Sequence, residues 1–396
     1  MVSDDEKDAL IGHILNGTRT ASPTNLDIYV TDRCNVDCYF CSQIDVRTTQ
    51  ELPVPKLVSL LRSMAPRGLK SIRFGGGGDP LAHRQIVPIL DALAETPVQL
   101  ENVTTNGVGL SAEVAERLVA LRCTDILISL NAASAAEYAR MMQVRGRLFT
   151  KVTENIRRLR AIREHVAADA PVIIVQFLLD RANCESLGEM YALGRSLGPD
   201  IIVFNVVRPT AHTPHELLLQ DEDLERFSDD LLTVLEADRE EQRVLVCFPY
   251  ARWNQWLAGV AAERGFQIAD GVTTAPSYSE SVGRCFFGWY TAVITGAGEV
   301  FPCCALSRPG YRSLGNIHEN EFESIWSGPE FDRLRHEMRE VFLTDGHVRP
   351  EELQRLVRDC VAENACWLKT FTFRHDEAFY SKLKAAVERR RAGHVI

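Results

Sequence analysis

The chain has 396 residues, 45% apolar and 25% charged, a globular composition long enough for one large domain with a smaller one beside it. Its 44 Lys and Arg against 54 Asp and Glu leave a formal net charge of -10, which argues against a general binder of nucleic acid or anionic membranes. The start, MVSDDEKDALIGHILNG, is acidic where a secretory signal is basic, and no apolar run reaches membrane-spanning length, so a cytoplasmic location is expected.

From about residue 26 short β-rich runs alternate with helical patterns, the rhythm of repeated βα units on a parallel sheet. Six strands are predicted, at LDIYVT, SIRFG, LENVTT, DILISL, VIIVQFLL and IIVFNVV. Most are continuous apolar runs, as strands covered on both faces require. Among the helical stretches, TKVTENIRRLRAIREH sets Val152, Ile156, Leu159 and Ile162 on one stripe. Six units are too few for a closed eight-stranded barrel, which takes about 250 residues. The expected fold is therefore α/β: a partial (β/α)6 TIM-like barrel over 26–243, after an N-terminal segment of residues 1–25.

Residues 220–243 read as an acidic helix, and 244–284 as a linker ending in the turn-rich TTAPSYSESVG. Beyond it, TAVITGAGEVFPC reads as two short strands joined at Gly296-Ala297-Gly298. This hairpin falls in a second domain expected over 285–370, and a helix with a basic end, 371–396, closes the chain.

Eleven cysteines, an odd number, suit metal binding better than disulfides in a reducing compartment. In YVTDRCNVDCYFCSQ, Cys34, Cys38 and Cys41 follow the first strand directly, at the barrel end where active sites form. A four-iron cluster normally takes one thiolate per iron, so three local thiolates leave one iron open. Zinc is the competing reading, but it prefers four ligands, and no histidine or fourth cysteine is near in the sequence.

The CxxxCxxC spacing, with aromatic Tyr39 after its second cysteine, resembles the radical SAM superfamily. The resemblance implies a 4Fe-4S cluster with an open iron site that S-adenosylmethionine (SAM) chelates. One-electron cleavage of SAM then yields a 5'-deoxyadenosyl radical, which abstracts hydrogen from substrate. An external one-electron donor of the flavodoxin or ferredoxin type is implied as well, with no nucleic-acid or membrane partner. Gly76, Gly77, Gly78 and Asp79, in FGGGGDP, resemble the segment that holds the SAM ammonium, with Asp79 standing where glutamate is usual. Thr105 and Asn106, before Gly107, resemble a second SAM-binding segment, and Ser129 with Asn131 resembles the ribose-binding pair. Arg145 is a candidate partner for the SAM carboxylate. Taken alone, a glycine run is a flexible turn and a lone arginine is solvated surface.

Around the hairpin, CFFGWYTAVITGAGEVFPCC and the later Ile325-Trp326-Ser327 are similar to the SPASM and twitch extensions of that superfamily. Cys285 and Cys303 match ligand positions, with Cys304 the alternative to Cys303, and Cys360 and Cys366 are available to complete one auxiliary 4Fe-4S cluster. A full SPASM domain carries about seven ligands for two clusters, so five cysteines favour the single-cluster twitch form and make a second auxiliary cluster unexpected. Cys123, Cys184 and Cys247 lie beside apolar sequence and read as small buried side chains or inert thiols.

An auxiliary cluster that accepts or relays an electron favours net oxidation. The expected activity is that of a radical SAM oxidoreductase or isomerase. It oxidises or epimerises a carbon of a small natural-product intermediate, a sugar, aminocyclitol or similar. Only about 25 residues precede the first strand, few for a separate peptide-recognition domain. The alternative is a SPASM-type maturase that crosslinks or epimerises a ribosomally made precursor peptide. A third reading, a non-catalytic iron-sulfur electron carrier, leaves the series of SAM-like motifs unexplained. Gln176, Asn205 and Arg208, at the ends of the last two strands, are candidate catalytic residues, although polar strand ends also simply cap a barrel.

Overall fold

The computed structural model describes residues 3–210, 212–248, 251–265, 286–307, 311–343 and 377–392. Helix α1 (Asp4–Asn16) is opened by a capping box, in which the Ser3 hydroxyl accepts from Glu6 N and the Glu6 carboxylate accepts from Ser3 N. It stops at Gly17, whose φ of 66° is left-handed.

The βα rhythm then follows. Strands β1 (Asn25–Ile28), β2 (Ser71–Phe74) and β3 (Gln99–Thr105) alternate with helices α2 (Val54–Met64), α3 (Ile86–Ala94) and α4 (Ala112–Ala120). Next come β4 (Asp125–Ser129), α5 (Ala135–Met142), α6 (Arg147–His165), β5 (Val172–Leu179), α7 (Leu187–Leu197), β6 (Ile201–Val206) and α8 (Leu224–Ala237). All six predicted strands form, parallel and in chain order.

A seventh strand, β7 (Val244–Cys247), pairs with β6, and α9 (Ala251–Glu263) follows it. The linker expected from residue 244 therefore begins as sheet. The run VLVC is too short for periodicity to separate from a loop, and what makes it a strand is the open edge of β6. On the other side, α10 (Phe287–Tyr290) leads into β8 (Thr291–Ile294), which runs parallel to β1. Strands β9 (Glu299–Phe301) and β10 (Gly315–Asn316) continue antiparallel, giving one ten-stranded sheet. The hairpin assigned to a second domain is thus continuous with the barrel sheet.

Alternate residues divide the sheet into two faces. Leu26, Ile28, Ile72, Phe74, Ile126, Ile128, Ile173, Val175, Phe177 and Phe204 point to the helices and join their apolar stripes in one core. That core includes Val152, Ile156 and Leu159 of α6, with Ile162 packed against it. The inner face carries the smaller cluster Leu127, Ile174 and Val203, together with buried Asp27, Arg73 and Asn102. The loop after β6 touches the loop after β1, His212 Nε2 lying 2.5 Å from Asp45 Oδ1. Those two strands are five positions apart, about 24 Å in a flat sheet. The sheet is curled into a partial barrel whose opening these loops share.

A second core joins the two ends of the chain. Leu10, Ile11, Ile14 and Leu15 of α1 pack with Phe286, Trp289, Met338 of α12 (Pro329–Leu343) and Phe379 and Leu383 of α13 (Glu377–Arg391). Helix α11 (Phe322–Trp326) supplies Trp326, whose ring lies 4.5 Å from the buried Arg335 guanidinium. Arg335 donates to Gly288 O at 2.6 Å and Trp326 O at 2.9 Å, so its burial is matched by hydrogen bonds.

Candidate active site

The loop after β1 folds back on its own stem. Asp32 N donates to Gln50 O at 2.9 Å and Leu52 N to Val30 O at 2.8 Å. Within it Cys38 is buried, Cys34 and Cys41 are half-buried, and none of the three forms a disulfide. Burial, then Asp79, raises the Cys34 thiol pKa, and burial, then Cys41 and Cys34, raises that of Cys38. The three thiols thus lie in one another's field. Such a set is costly as bare thiolates and stable on a cation, which deprotonates coordinating thiols. Among the described residues no three His, Cys, Asp or Glu side chains converge as ligands of a single ion; a four-iron cluster places each thiolate on a different iron. Arg47 adds positive charge, with Nη2 3.2 Å from Cys41 Sγ and Nη1 donating to Val36 O at 2.8 Å. The arrangement fits a cluster held by Cys34, Cys38 and Cys41.

The glycine run is packed against this loop. Gly78 N donates to Thr31 O at 3.0 Å and Asp79 N to Arg33 O at 2.8 Å. A Cβ on Gly78 would lie 2.0 Å from Arg33 O, and one on Gly76 2.4 Å from the Tyr29 ring. At Gly77 it would meet Asp32 Oδ1 at 2.6 Å. Close backbone approach, not flexibility, accounts for the glycines here.

Asp79 is buried and its carboxylate is engaged by the chain. It accepts from Leu81 N at 3.0 Å, Asn106 N at 2.6 Å and the Thr105 hydroxyl at 3.0 and 2.9 Å. Burial pushes its pKa up to about 6 against the pull of these bonds. Asn106 in turn donates from Nδ2 to Asn35 Oδ1 at 2.6 Å and toward Cys34 Sγ at 3.7 Å. The segments after β1, β2 and β3 are therefore locked together beside the cysteines.

Tyr39 is buried, its ring edge-on to Phe40, and its hydroxyl donates to Asp180 at the end of β5. Asp180 is fully buried and also accepts from Arg140 at 2.8 and 3.3 Å and Ala182 N at 2.8 Å. Sequence reasoning missed Arg47, Asp180 and Arg140; only the position of Asp180 directly after a strand hinted at its role.

Ser129 pairs in register with Gln176, whose carbonyl accepts from Leu130 N and Asn131 N at 3.1 and 3.0 Å. Asn131 is buried at a φ of 64°, and its Oδ1 has no hydrogen-bond partner among the described residues, an acceptor that suits a ribose hydroxyl. Asn205 is buried on the inner face opposite Cys247, which is half-buried there. Cys123 and Cys184 are buried. Arg208 is half-buried just past β6, whereas Arg145 is exposed.

Cys303 is buried in the core of Phe286, Trp289 and Tyr290, while half-buried Cys304 packs against that core and against Tyr29, Val293 and Phe301. The Tyr29 hydroxyl lies 3.3 Å from Ser307 Oγ. Tyr29 thus stands between the glycine run and the second cysteine group. Cys285, Cys360 and Cys366 lie outside the described residues.

Residues 28–174 match the family model described as the radical SAM superfamily, and 285–360 match SPASM, an iron-sulfur cluster-binding domain. The AdoMet-dependent heme synthase of Methanosarcina barkeri is 24% identical over 354 residues, 88% of this chain and 91% of that protein. The PqqA peptide cyclase of Streptomyces rochei is 31% identical over 183 residues, so the chain spans 47% of that relative and uses 46% of its own length. Streptococcus suis SuiB bound to S-adenosylmethionine has a similar fold, with a TM-score of 0.60 at 16% identity over 93% of this chain and 80% of that one. Native anSMEcpe with bound AdoMet gives 0.55 at 14% identity, over 94% and 99%. The chain belongs to the radical SAM superfamily of enzymes and carries a SPASM-type iron-sulfur region at its C-terminal end.

Proposed function

We propose that the protein cleaves S-adenosylmethionine reductively and takes hydrogen from a carbon of a small polar natural-product intermediate, a sugar, aminocyclitol or similar, giving oxidation or epimerisation. The observation that supports a small substrate is the His212 to Asp45 contact, which carries the loop after β6 across the opening to the cysteine loop. The polar strand ends below it, Ser129, Gln176 and Asn205, suit a hydroxylated molecule.

When bound, the cluster and SAM supply a one-electron cleavage that leaves a 5'-deoxyadenosyl radical as hydrogen acceptor. The chain's own groups do the rest. Cys34, Cys38 and Cys41 hold the iron, and Arg47 offsets the thiolate charge. Gly76, Gly77, Gly78 and Asp79 keep the cysteine loop in place, with Thr105 and Asn106 as partners. Tyr39, Ser129 and Asn131 flank the cofactor, Asn131 through its unmatched Oδ1. Gln176 and Asn205 orient the substrate, and Arg208, a permanently charged donor, helps to hold its oxygen atoms. Cys285, Cys303, Cys360 and Cys366 form the expected ligand set of one auxiliary cluster.

A second reading, modification of a precursor peptide, is favoured by the 31% identity to a peptide cyclase. Anaerobic turnover with deuterated candidate substrates separates the two. Deuterium entering 5'-deoxyadenosine from a sugar or cyclitol supports the first reading, and transfer from a peptide alone overturns it. Reduced, cluster-loaded protein that forms no 5'-deoxyadenosine with any substrate would sink the enzyme reading itself.

A further inference from the structure

Tyr138 is a fully buried tyrosine whose hydroxyl has no hydrogen-bond partner among the described residues. A phenol hydroxyl left unmatched inside a protein is destabilising. Its place in the fold points to what it meets. Tyr138 lies on α5, and Met142, four residues on, shares its helix face. The Met142 sulfur is 3.5 Å from Cys38 Sγ, and the Met142 carbonyl accepts from Asp37 N of the cysteine loop at 3.0 Å. The end of α5 is therefore seated on the loop that carries the cluster ligands. The Phe149 ring packs on that of Tyr138, with centroids 5.8 Å apart. Burial, and after it the charges of Cys38, Asp79 and Cys34, raise the pKa of the phenol, so it stays protonated and able to donate.

We infer that Tyr138 donates its hydrogen bond to a sulfur of the 4Fe-4S cluster held by Cys34, Cys38 and Cys41, and so tunes that cluster's reduction potential. The inference rests on the reading that these three cysteines hold the cluster. Hydrogen bonds to cluster sulfur stabilise the reduced, more negative state and move the potential upward. Tyr138 is a positioning residue in this role, since it sets how readily the cluster accepts an electron.

The test is a redox titration of the full chain, following the EPR signal that changes on adding SAM. Tyr138→Phe moves the midpoint of that signal to more negative potential with iron content unchanged. Site-specific 3-fluorotyrosine at 138, a stronger donor, moves it the opposite way. Opposite shifts are not what a structural disturbance produces. If Tyr138→Phe fails to retain the cluster, the fluorotyrosine protein alone decides by the sign of its shift. An unchanged midpoint with full iron, or shifts of the same sign, overturns the inference. Retention of the SAM-sensitive cluster by a Cys34→Ala, Cys38→Ala, Cys41→Ala triple variant overturns instead the ligand assignment on which it rests.

Discussion

Replacing Asp79 with alanine removes the acceptor on which two segments of the site converge. It leaves the Leu81 and Asn106 N–H groups and the Thr105 hydroxyl unmatched in a buried place. At about 1–3 kcal/mol for each donor, the loss is about 6 kcal/mol at mid-range. Against it stands relief of a buried charge. A carboxyl raised from 3.8 to about 6 is destabilised by about 3 kcal/mol at neutral pH. The difference, about 3 kcal/mol, lowers the melting temperature of a 396-residue chain by about 4 °C, with an unfolding entropy of about 2.1 cal/mol/K per residue. Anaerobic circular-dichroism melts of cluster-free wild type and Asp79→Ala measure it. A variant melting within about 1 °C of wild type, or above it, would refute the reasoning. Asp79→Asn adds the pH dependence. Because burial raises the folded carboxyl, the folded state keeps its proton longer than the unfolded chain. Its contribution favours folding below about pH 4 and is lost as pH rises through about 6. The melting temperature of wild type relative to Asp79→Asn therefore falls across that window; a rise would show that the hydrogen bonds outweigh burial.

Gly78→Ala drives a Cβ into the Arg33 carbonyl, a backbone atom that cannot turn aside, so iron content after reconstitution falls to less than half. Gly188→Ala meets nothing within 4 Å among the described residues and retains its iron, which serves as the control. Asp180→Ala strips Tyr39 and Arg140 of a shared buried partner, costs about 3–5 kcal/mol in chemical denaturation and speeds loss of the cluster in air. Tyr39→Phe removes one bond and costs only about 1 kcal/mol. His212→Ala frees the loop over the opening and raises KM for a small substrate more than it lowers kcat, read by steady-state kinetics.

Much of the barrel is legible in the sequence because strands buried on both faces must be continuous apolar runs, and all six predicted ones form. Periodicity likewise places the stripe of α6, since a helix can bury only one face. The limits are local as well. Strand β7 reads as linker in the sequence, because four residues carry too little pattern to announce a strand.

At the site, the spacing of Cys34, Cys38 and Cys41 is a property of the chain, since side chains a few residues apart in one loop are kept near one another by that loop alone. Their surroundings are not. Arg47 meets Cys41 through a loop fold, Tyr39 meets Asp180 across the barrel, and Met142 reaches the same loop from α5. The glycine run shows the division most clearly: four glycines read as a flexible turn until Arg33, Asp32 and Tyr29 are seen against them. Local spacing and periodicity are written in the sequence because they act over a few residues. Partners contributed by different strands depend on how the sheet curls, and the tertiary structure alone decides that.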